Sequence, residues 1–155
     1  MGLLNVDEYR RAISIDSPWA VPAPAAEREV ADLVHGLVLR LKSEGLSLPS
    51  RFRTHSEMQQ LRVLLTIRTP KEMPPSAQRM LDEVLQYQRS VRQETDAREL
   101  PTVTGWPGVS LWRGDITTLR ASAIVNAANA QLLGCFQPLH LCIDNAIHWC
   151  AGPRL

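Results

Sequence analysis

The sequence has no long apolar run, no run of lysine or arginine, and only three cysteines among its 155 residues. A membrane-spanning helix needs about 20 consecutive apolar residues, so we expect no membrane segment. The formal net charge is only +1 at pH 7, which argues against the basic surface that nucleic-acid binding requires. The first residues lack a basic stretch followed by an apolar core, so no signal peptide is predicted. These absences predict a cytoplasmic protein that binds neither membranes nor nucleic acid.

The three cysteines do not form the pattern of a disulfide framework. They are odd in number and cluster at Cys135, Cys142 and Cys150. In a cytosolic protein such a cluster is typical of metal binding or catalysis. Hydrophobic residues make up 45% of the chain, which is ordinary for a globular protein and suits one domain, or a small domain with an extension.

The first hundred residues carry the pattern of a helical extension. Apolar residues recur three and four positions apart, as on the buried stripe of an amphipathic helix. His35 and His55 have no candidate partners, and we interpret them as ordinary polar or core residues. We therefore predict a helical extension over residues 1–100. The predicted helices cover residues 3–14, 25–42, 57–68 and about eighteen residues from Pro74-Pro75.

After a predicted linker at residues 94–107 the pattern becomes that of an α/β layer. Residues 109–112 alternate as in a strand, and the apolar run 123–125 predicts a buried strand. Between them, residues 115–117 predict a turn or short helix, and residues 143–151 predict a helix. This order is how an α/β layer begins, so residues 101–155 form a second predicted unit.

Cys135, His140 and Cys142 have the spacing C-x4-H-x-C. Two thiolates and an imidazole are suitable zinc ligands, and a catalytic zinc keeps a fourth position open. Cys142 is predicted to begin the last helix, where the helix dipole favours a thiolate. The spacing is not the paired C-x2-C of structural zinc sites, so buried free thiols beside a surface histidine remain the alternative.

Other polar residues of this region have both a functional and an ordinary interpretation. Asn126 and Asn129 follow the predicted buried strand, where α/β sheets bind ligands, but asparagines also form turns. Asp144 suits a base near the metal or an acid favoured at a helix N-terminus. We interpret His148 as a hydrogen-bonded packing residue and Cys150 as a small core residue.

Several segments resemble one protein family. GDITTLRASAIVNAAN resembles the opening of a macrodomain, the α/β fold that binds ADP-ribose. GCFQPLHLCIDNAIHWCAG is similar to the zinc-dependent macrodomains, which are microbial ADP-ribosyl-protein hydrolases found beside a sirtuin-type ADP-ribosyltransferase. LRVLLTIRTP and PPSAQRMLDEVLQYQ resemble the N-terminal extension of that group.

The resemblance implies a binding site for ADP-ribose. Asp115 would accept a hydrogen bond from the adenine amino group, with the backbone of Ile116 beside it. Asn126 and Asn129 would line the distal ribose. The expected ligand is mono-ADP-ribose, carried by a modified protein.

The resemblance also implies zinc-dependent hydrolysis of that modification. Cys135, His140 and Cys142 would hold the zinc, which polarises the anomeric centre. Asn129 and Asp144 would position the attacking water. Two other functions remain open: an ADP-ribose-binding module without catalysis, and a structural zinc loop without a nucleotide site.

The resemblance covers only the first part of a macrodomain. Macrodomains have a mixed sheet of several strands between helical layers, whereas two strands are predicted here, and two strands do not make a stable sheet. A second glycine-rich loop, which would hold the pyrophosphate through backbone N–H groups, has no counterpart. We therefore expect an incomplete macrodomain that cannot hydrolyse ADP-ribosylated protein by itself.

Overall fold

A computed structural model of the chain describes residues 5–12 and 20–153. Over these residues the fold is mixed α/β, with helices first and short strands after them. None of the described helices is long and apolar enough to cross a membrane. The helices are α1 (Val6–Ala12), α2 (Glu27–Ser43), α3 (Glu57–Ile67), α4 (Pro75–Ser90) and α5 (Ile143–Ala151). The strands are β1 (Thr95–Asp96), β2 (Thr102–Val103), β3 (Trp106–Ser110) and β4 (Leu119–Arg120).

Helices α2, α3 and α4 enclose the hydrophobic core. Helix α2 packs against both α3 and α4, and the apolar stripe of each helix faces inward, as its spacing predicts. Burying one such leucine or valine stabilises the fold by about 1.5–3 kcal/mol. The fully buried side chains are Leu37, Val38, Leu41, Leu61, Val63, Leu64, Leu81 and Val84.

Local sequence sets the ends of these helices. Ser56 caps α3 in a capping box, because its side chain accepts from the Gln59 N–H and the Gln59 side chain accepts from the Ser56 N–H. Pro75 occupies the first turn of α4, and Gly45, with φ of +90°, follows α2. The three predicted helices are confirmed. Of the helix predicted over 3–14, residues 3, 4, 13 and 14 lie outside the described residues.

The four strands form two separate two-stranded sheets. β1 pairs with β4 in parallel, with Thr95 opposite Leu119, and β2 pairs with β3 antiparallel. The predicted linker at residues 94–107 is therefore wrong in part, because it contains β1, β2 and the start of β3. The strand predicted at 109–112 lies earlier, at Trp106–Ser110.

The predicted buried strand at residues 123–125 is wrong. These residues form neither helix nor strand, and Val125 is 88% exposed. A short apolar run becomes a buried strand only when a neighbouring strand pairs with it and a layer covers it. The described residues provide no such neighbour, since β4 already ends at Arg120 and pairs with β1.

A buried carboxylate joins β1 to β4. Asp96 accepts hydrogen bonds from the Arg98 guanidinium at 2.7 and 3.1 Å, and from Arg120 of β4 at 2.6 Å. These bonds, led by those from Arg98, hold the pKa of Asp96 far below its usual range. The parallel pair thus depends on an ionised side chain as well as on backbone hydrogen bonds.

Candidate metal centre

The structure brings the three predicted zinc ligands together. No two of the ligand atoms of Cys135, His140 and Cys142 lie more than 4.8 Å apart, and Cys135 Sγ lies 3.5 Å from His140 Nδ1. Two ligands of one tetrahedral zinc are roughly 3.5–3.8 Å apart, given the usual Zn–S and Zn–N bond lengths. The two sulfurs and one nitrogen therefore need only small side-chain rotations to hold a zinc ion.

Helix α5 positions Cys142. This residue is the N-cap of the helix, and its Sγ accepts a hydrogen bond from the Asn145 N–H at 3.4 Å. The predicted place of Cys142 at a helix start is therefore observed. Backbone N–H groups at this end of the helix favour a negatively charged sulfur.

A loop folded back against α5 positions Cys135 and His140. Asn145 Nδ2 donates to the Gln137 carbonyl at 3.0 Å, and the His140 N–H donates to the same carbonyl at 3.2 Å. Leu139, beside His140, has φ of +58°, which is unusual for a residue with a side chain. The helix thus fixes the loop that carries the other two ligands.

The pKa of the Cys135 thiol reflects its burial and its negatively charged neighbours. Burial raises the pKa of the Cys135 thiol, and the charges of Cys142 and Asp144 raise it further. A divalent cation reverses this preference, since a coordinating thiol is deprotonated outright. The donors present, two sulfurs and an imidazole, suit such a cation.

Beside the ligands lies a hydrogen-bonded group around Asp144. This buried carboxylate accepts a hydrogen bond from Asn126 Nδ2 at 2.8 Å, and His148 Nε2 lies 3.3 Å from the same oxygen. Asn126 Oδ1 is buried and has no hydrogen-bond partner among the described residues. A buried acceptor without a donor is costly, so this atom is suited to receive a hydrogen bond from a ligand.

Asn129 serves the loop itself. Its Nδ2 donates to the Gly134 carbonyl at 2.8 Å, and its Oδ1 accepts from the Gln131 N–H at 3.0 Å. Both ends of the amide are therefore engaged within the loop, in the manner of an asparagine turn. Its predicted contact with the distal ribose stays a prediction.

His148 sits against Gly134 as well as Asp144. A Cβ at Gly134 would lie 3.0 Å from the imidazole ring, and Gly134 has φ of +82°. Glycine is thus required here both by the backbone conformation and by the closeness of the ring. His148, interpreted from the sequence as a packing residue, supports the loop just before Cys135.

Asp115 lies apart from the metal ligands. It accepts hydrogen bonds from the N–H and hydroxyl of Thr117 at 2.9 and 2.7 Å, and from Arg92 at 2.9 Å. Thr117, and to a smaller extent Arg92, hold the pKa of Asp115 below its usual range. Ile116 begins the short 3₁₀ helix Ile116–Thr118 that Asp115 caps, as predicted for this turn.

Arg92 joins this turn to α5, a link that sequence reasoning missed. Its Nη1 donates to Thr117 Oγ1 at 3.0 Å and to Cys150 Sγ at 3.4 Å. Cys150 is therefore half-buried beside a guanidinium and does not lie in the core cluster. Asn145, which holds the Gln137 carbonyl, was also missed. No local spacing pattern marks either residue, because Arg92 acts on Cys150, 58 positions away, and Asn145 acts on a backbone carbonyl.

Comparison with known proteins gives partial matches of a consistent kind. A Protein-ADP-ribose hydrolase of Treponema medium is 46% identical over 99 residues, 61% of this chain and 37% of that protein. A Probable bifunctional ADP-ribose hydrolase/ADP-ribosyltransferase of Fusarium oxysporum f. sp. cubense is 42% identical over 117 residues, 68% of this chain and 19% of that protein. A Protein-ADP-ribose hydrolase of Staphylococcus aureus (strain Mu50) is 51% identical over 61 residues, 39% of this chain and 23% of that protein.

No protein-family model matches the chain. The matches relate it to proteins named as ADP-ribose hydrolases. The chain spans less than two fifths of the length of each of these relatives.

Proposed function

We propose that this chain provides the metal-binding part of a zinc-dependent hydrolase that removes mono-ADP-ribose from modified proteins. Relatives named protein-ADP-ribose hydrolase support the reaction class. The observation that carries the proposal is a juxtaposition. The Cys135–His140–Cys142 set lies beside a buried carboxylate and a buried amide oxygen that lacks a donor.

Zinc suits these donors in number and kind. Three protein ligands leave a fourth position for a water or substrate oxygen, which is the arrangement of catalytic zinc sites. When bound, zinc would supply Lewis-acid polarisation of an oxygen and lower the pKa of a water or hydroxyl. The rest of the chemistry falls to the side chains around it.

Asn126 is suited to orient the sugar. Its Oδ1 can accept a hydrogen bond from a ribose hydroxyl, while its Nδ2 is held by Asp144. Both contacts of Asp144 use one carboxylate oxygen, and no described residue hydrogen-bonds to the other. That second oxygen can hold a water molecule and accept its proton.

The reaction is a hydrolysis at the anomeric carbon of the distal ribose. The water oxygen forms a bond to that carbon, and the bond between the carbon and the protein side chain breaks. One water proton goes to the base and a proton returns to the leaving side chain. Asp144 is the base we propose, and Asn129, whose amide shapes the loop before Cys135, remains a second candidate for water positioning.

We further propose that residues 101–155 begin a macrodomain and that residues 1–100 are its helical extension. Asp115 and the Ile116 backbone would then meet the adenine. Arg92, which already holds Asp115, would fix that carboxylate against α5.

The name of the Fusarium relative combines a hydrolase with an ADP-ribosyltransferase. This name supports an ADP-ribosyltransferase as a functional partner. The resemblance to the zinc-dependent macrodomains implies that the transferase is of the sirtuin type.

The test is release of ADP-ribose from a mono-ADP-ribosylated protein by the longest natural form of this protein. We expect Cys142→Ala to lose bound zinc and turnover together, and Asp144→Asn to keep zinc but lose turnover by at least about 100-fold, as for a general base. Cys150→Ala is the control, because this cysteine lies outside the ligand set.

The main alternative is a module that binds ADP-ribose without turning it over. In that case the unsubstituted protein would bind ADP-ribose but release none from a modified protein. A structural zinc loop, the other alternative, would give no heat with ADP-ribose in calorimetry.

A further inference from the structure

A cavity of about 700 Å³ lies behind the metal loop, between that loop and the helical core. Its walls come from α3, the segment 68–75, α4, residues 133–136 and α5. Of the three candidate ligands only Cys135 lines the cavity, and Asn126 and Asp144 do not line it. Asn145 and His148, which support the metal loop, lie in the wall between the cavity and the candidate metal centre. The cavity is therefore next to the proposed catalytic site but does not include Asp144.

Arg62 of α3 lies in this wall, and no ion pair joins it to a carboxylate of the described residues. Its guanidinium carbon lies 5.0 Å from the centre of the Trp149 ring, in a cation–π contact. Its Nε is buried and has no hydrogen-bond partner among the described residues. The residue as a whole is half-buried, and a buried donor without an acceptor is costly.

Arg68, another arginine of the wall, is a useful comparison because its guanidinium nitrogens have hydrogen-bond acceptors. Arg68 donates from Nε to Glu44 at 3.0 Å, and from its other nitrogens to the carbonyls of Lys71 and Glu72 at 2.7 and 3.1 Å. Each guanidinium nitrogen of Arg68 thus has an acceptor, whereas no described residue accepts a hydrogen bond from Nε of Arg62. Burial lowers the pKa of Arg62, and only the Cys150 sulfur opposes that effect.

We propose that this cavity binds a small carboxylate ligand with an apolar body, and that Arg62 holds the carboxylate. A volume of about 700 Å³ falls within the roughly 300–1,000 Å³ of small-molecule sites. Leu65, Met73, Phe136 and Trp149 offer apolar walls. The guanidinium fork, which matches a carboxylate, offers the polar end.

The other charged side chains of the wall are of both signs. Glu72, Asp82, Lys71 and Arg79 also line the cavity. Lys71 lies 3.5 Å from Glu44 and is already paired, and the side chain of Arg79 is exposed. The wall therefore suits a negatively charged ligand, and the guanidinium fork of Arg62 favours a carboxylate.

The experiment is a titration of the 155-residue chain with octanoate, followed by NMR of the arginine Nε–H signals. We expect the Arg62 signal to shift and saturate. Arg62→Met should weaken octanoate binding at least about 10-fold, which corresponds to about 1.4 kcal/mol. Arg51→Met is the matched control: Arg51 also stacks on an aromatic ring, 4.7 Å from the centre of Phe52, but does not line the cavity.

One further ligand and one further variant make the result decisive. Octylamine should bind at least about 10-fold more weakly than octanoate. Equal affinity of octanoate and octylamine, or equal octanoate affinity of Arg62→Met and the unsubstituted chain, would overturn the proposal. If Arg62→Met fails to fold, as judged by circular dichroism, two other measurements test the proposal. These are the octanoate affinity of Arg62→Lys and the shift of the Arg62 signal in the unsubstituted chain.

Discussion

At the scale of single residues, Cys142 has two roles that depend on the same sulfur. It caps α5 by accepting the Asn145 N–H, and it completes a set of candidate metal ligands with Cys135 and His140. The capping geometry holds the sulfur at the positive end of the helix, which favours the thiolate that a metal requires. Local helix formation thus positions one candidate ligand without a metal.

Gly134 is the residue at which we expect the loop to be most sensitive. Gly134→Ala would place a Cβ 3.0 Å from the His148 ring and force an alanine to φ of +82°. Because the shifted loop carries Cys135, zinc affinity should fall about 10- to 100-fold, as for supporting residues of other metal sites. Competition with a chromophoric chelator measures this affinity.

Gly105→Ala is the matched control for that substitution. Gly105 has nearly the same φ, +81°, but a Cβ there would meet nothing within 4 Å. It should carry the same backbone strain and leave zinc affinity unchanged. Equal losses in the two variants would show that His148 does not support the metal loop.

The sequence predicts the closeness of the three candidate metal ligands better than it predicts their surroundings. The spacing of Cys135, His140 and Cys142 falls within one loop and one helix start, so short-range geometry brings them together. Arg92 contacts Cys150, 58 positions away, and nothing in the spacing of the chain indicates such a contact. The amide of Asn129 is engaged within its own loop, and its contact with the distal ribose stays a prediction.

At the scale of elements, helices were predictable and strands were not. The period of 3.6 residues is a local signal, and it located α2, α3 and α4 together with their buried faces. A strand needs a partner elsewhere in the chain. The two-residue strands β1, β2 and β4 carry no pattern that a sequence could show, and the apolar run at 123–125 has no partner in the described structure.

Leu61 tests the helical core. Its side chain is 0% exposed in α3, so Leu61→Ala should lower the free energy of unfolding by about 2–5 kcal/mol through lost burial and a cavity. Leu39→Ala, at a position 53% exposed on α2, should change it by less than about 0.5 kcal/mol. Urea denaturation followed by circular dichroism compares the two, and similar midpoints would contradict the proposed core.

Substitution of Asp96 tests the junction of β1 with β4, because the stability that this side chain provides should depend on pH. Its folded pKa is depressed below the ordinary value of 3.8, so its stabilising contribution is complete above that value and is lost as the pH falls toward the folded pKa. Asp96→Asn should therefore lower the urea midpoint by a constant amount between pH 5 and 7. The difference should narrow below about pH 4. A difference that does not vary with pH would show that the charge of Asp96 is unimportant.

At the scale of the whole molecule, apolar side chains remain exposed on the strand-bearing part. Leu111 and Val125 are more than four-fifths exposed, and Trp106 and Leu132 are also exposed. The sheets have two strands each, whereas independent stability needs three or more, or a covering helix. An α/β fold that continues with further strands would bury this surface, in agreement with the proposed macrodomain.

We expect the 155-residue chain, by itself, to release no ADP-ribose from a mono-ADP-ribosylated protein. The described residues provide candidate metal ligands and a carboxylate, but the sequence contains no second glycine-rich loop to hold a pyrophosphate. A time course with the purified chain, saturated with zinc, measures this. Release that is abolished by Cys142→Ala would show that the chain needs nothing further for catalysis.

The central claim is that Cys135, His140 and Cys142 bind zinc, and metal analysis of the folded chain tests it most directly. After equilibration with micromolar zinc at pH 7 and gel filtration, the chain should retain one zinc ion per molecule. Cys150→Ala should retain it as well, while Cys142→Ala should retain almost none. A well-folded chain that retains no zinc, or a Cys142→Ala variant that retains it fully, would contradict the claim.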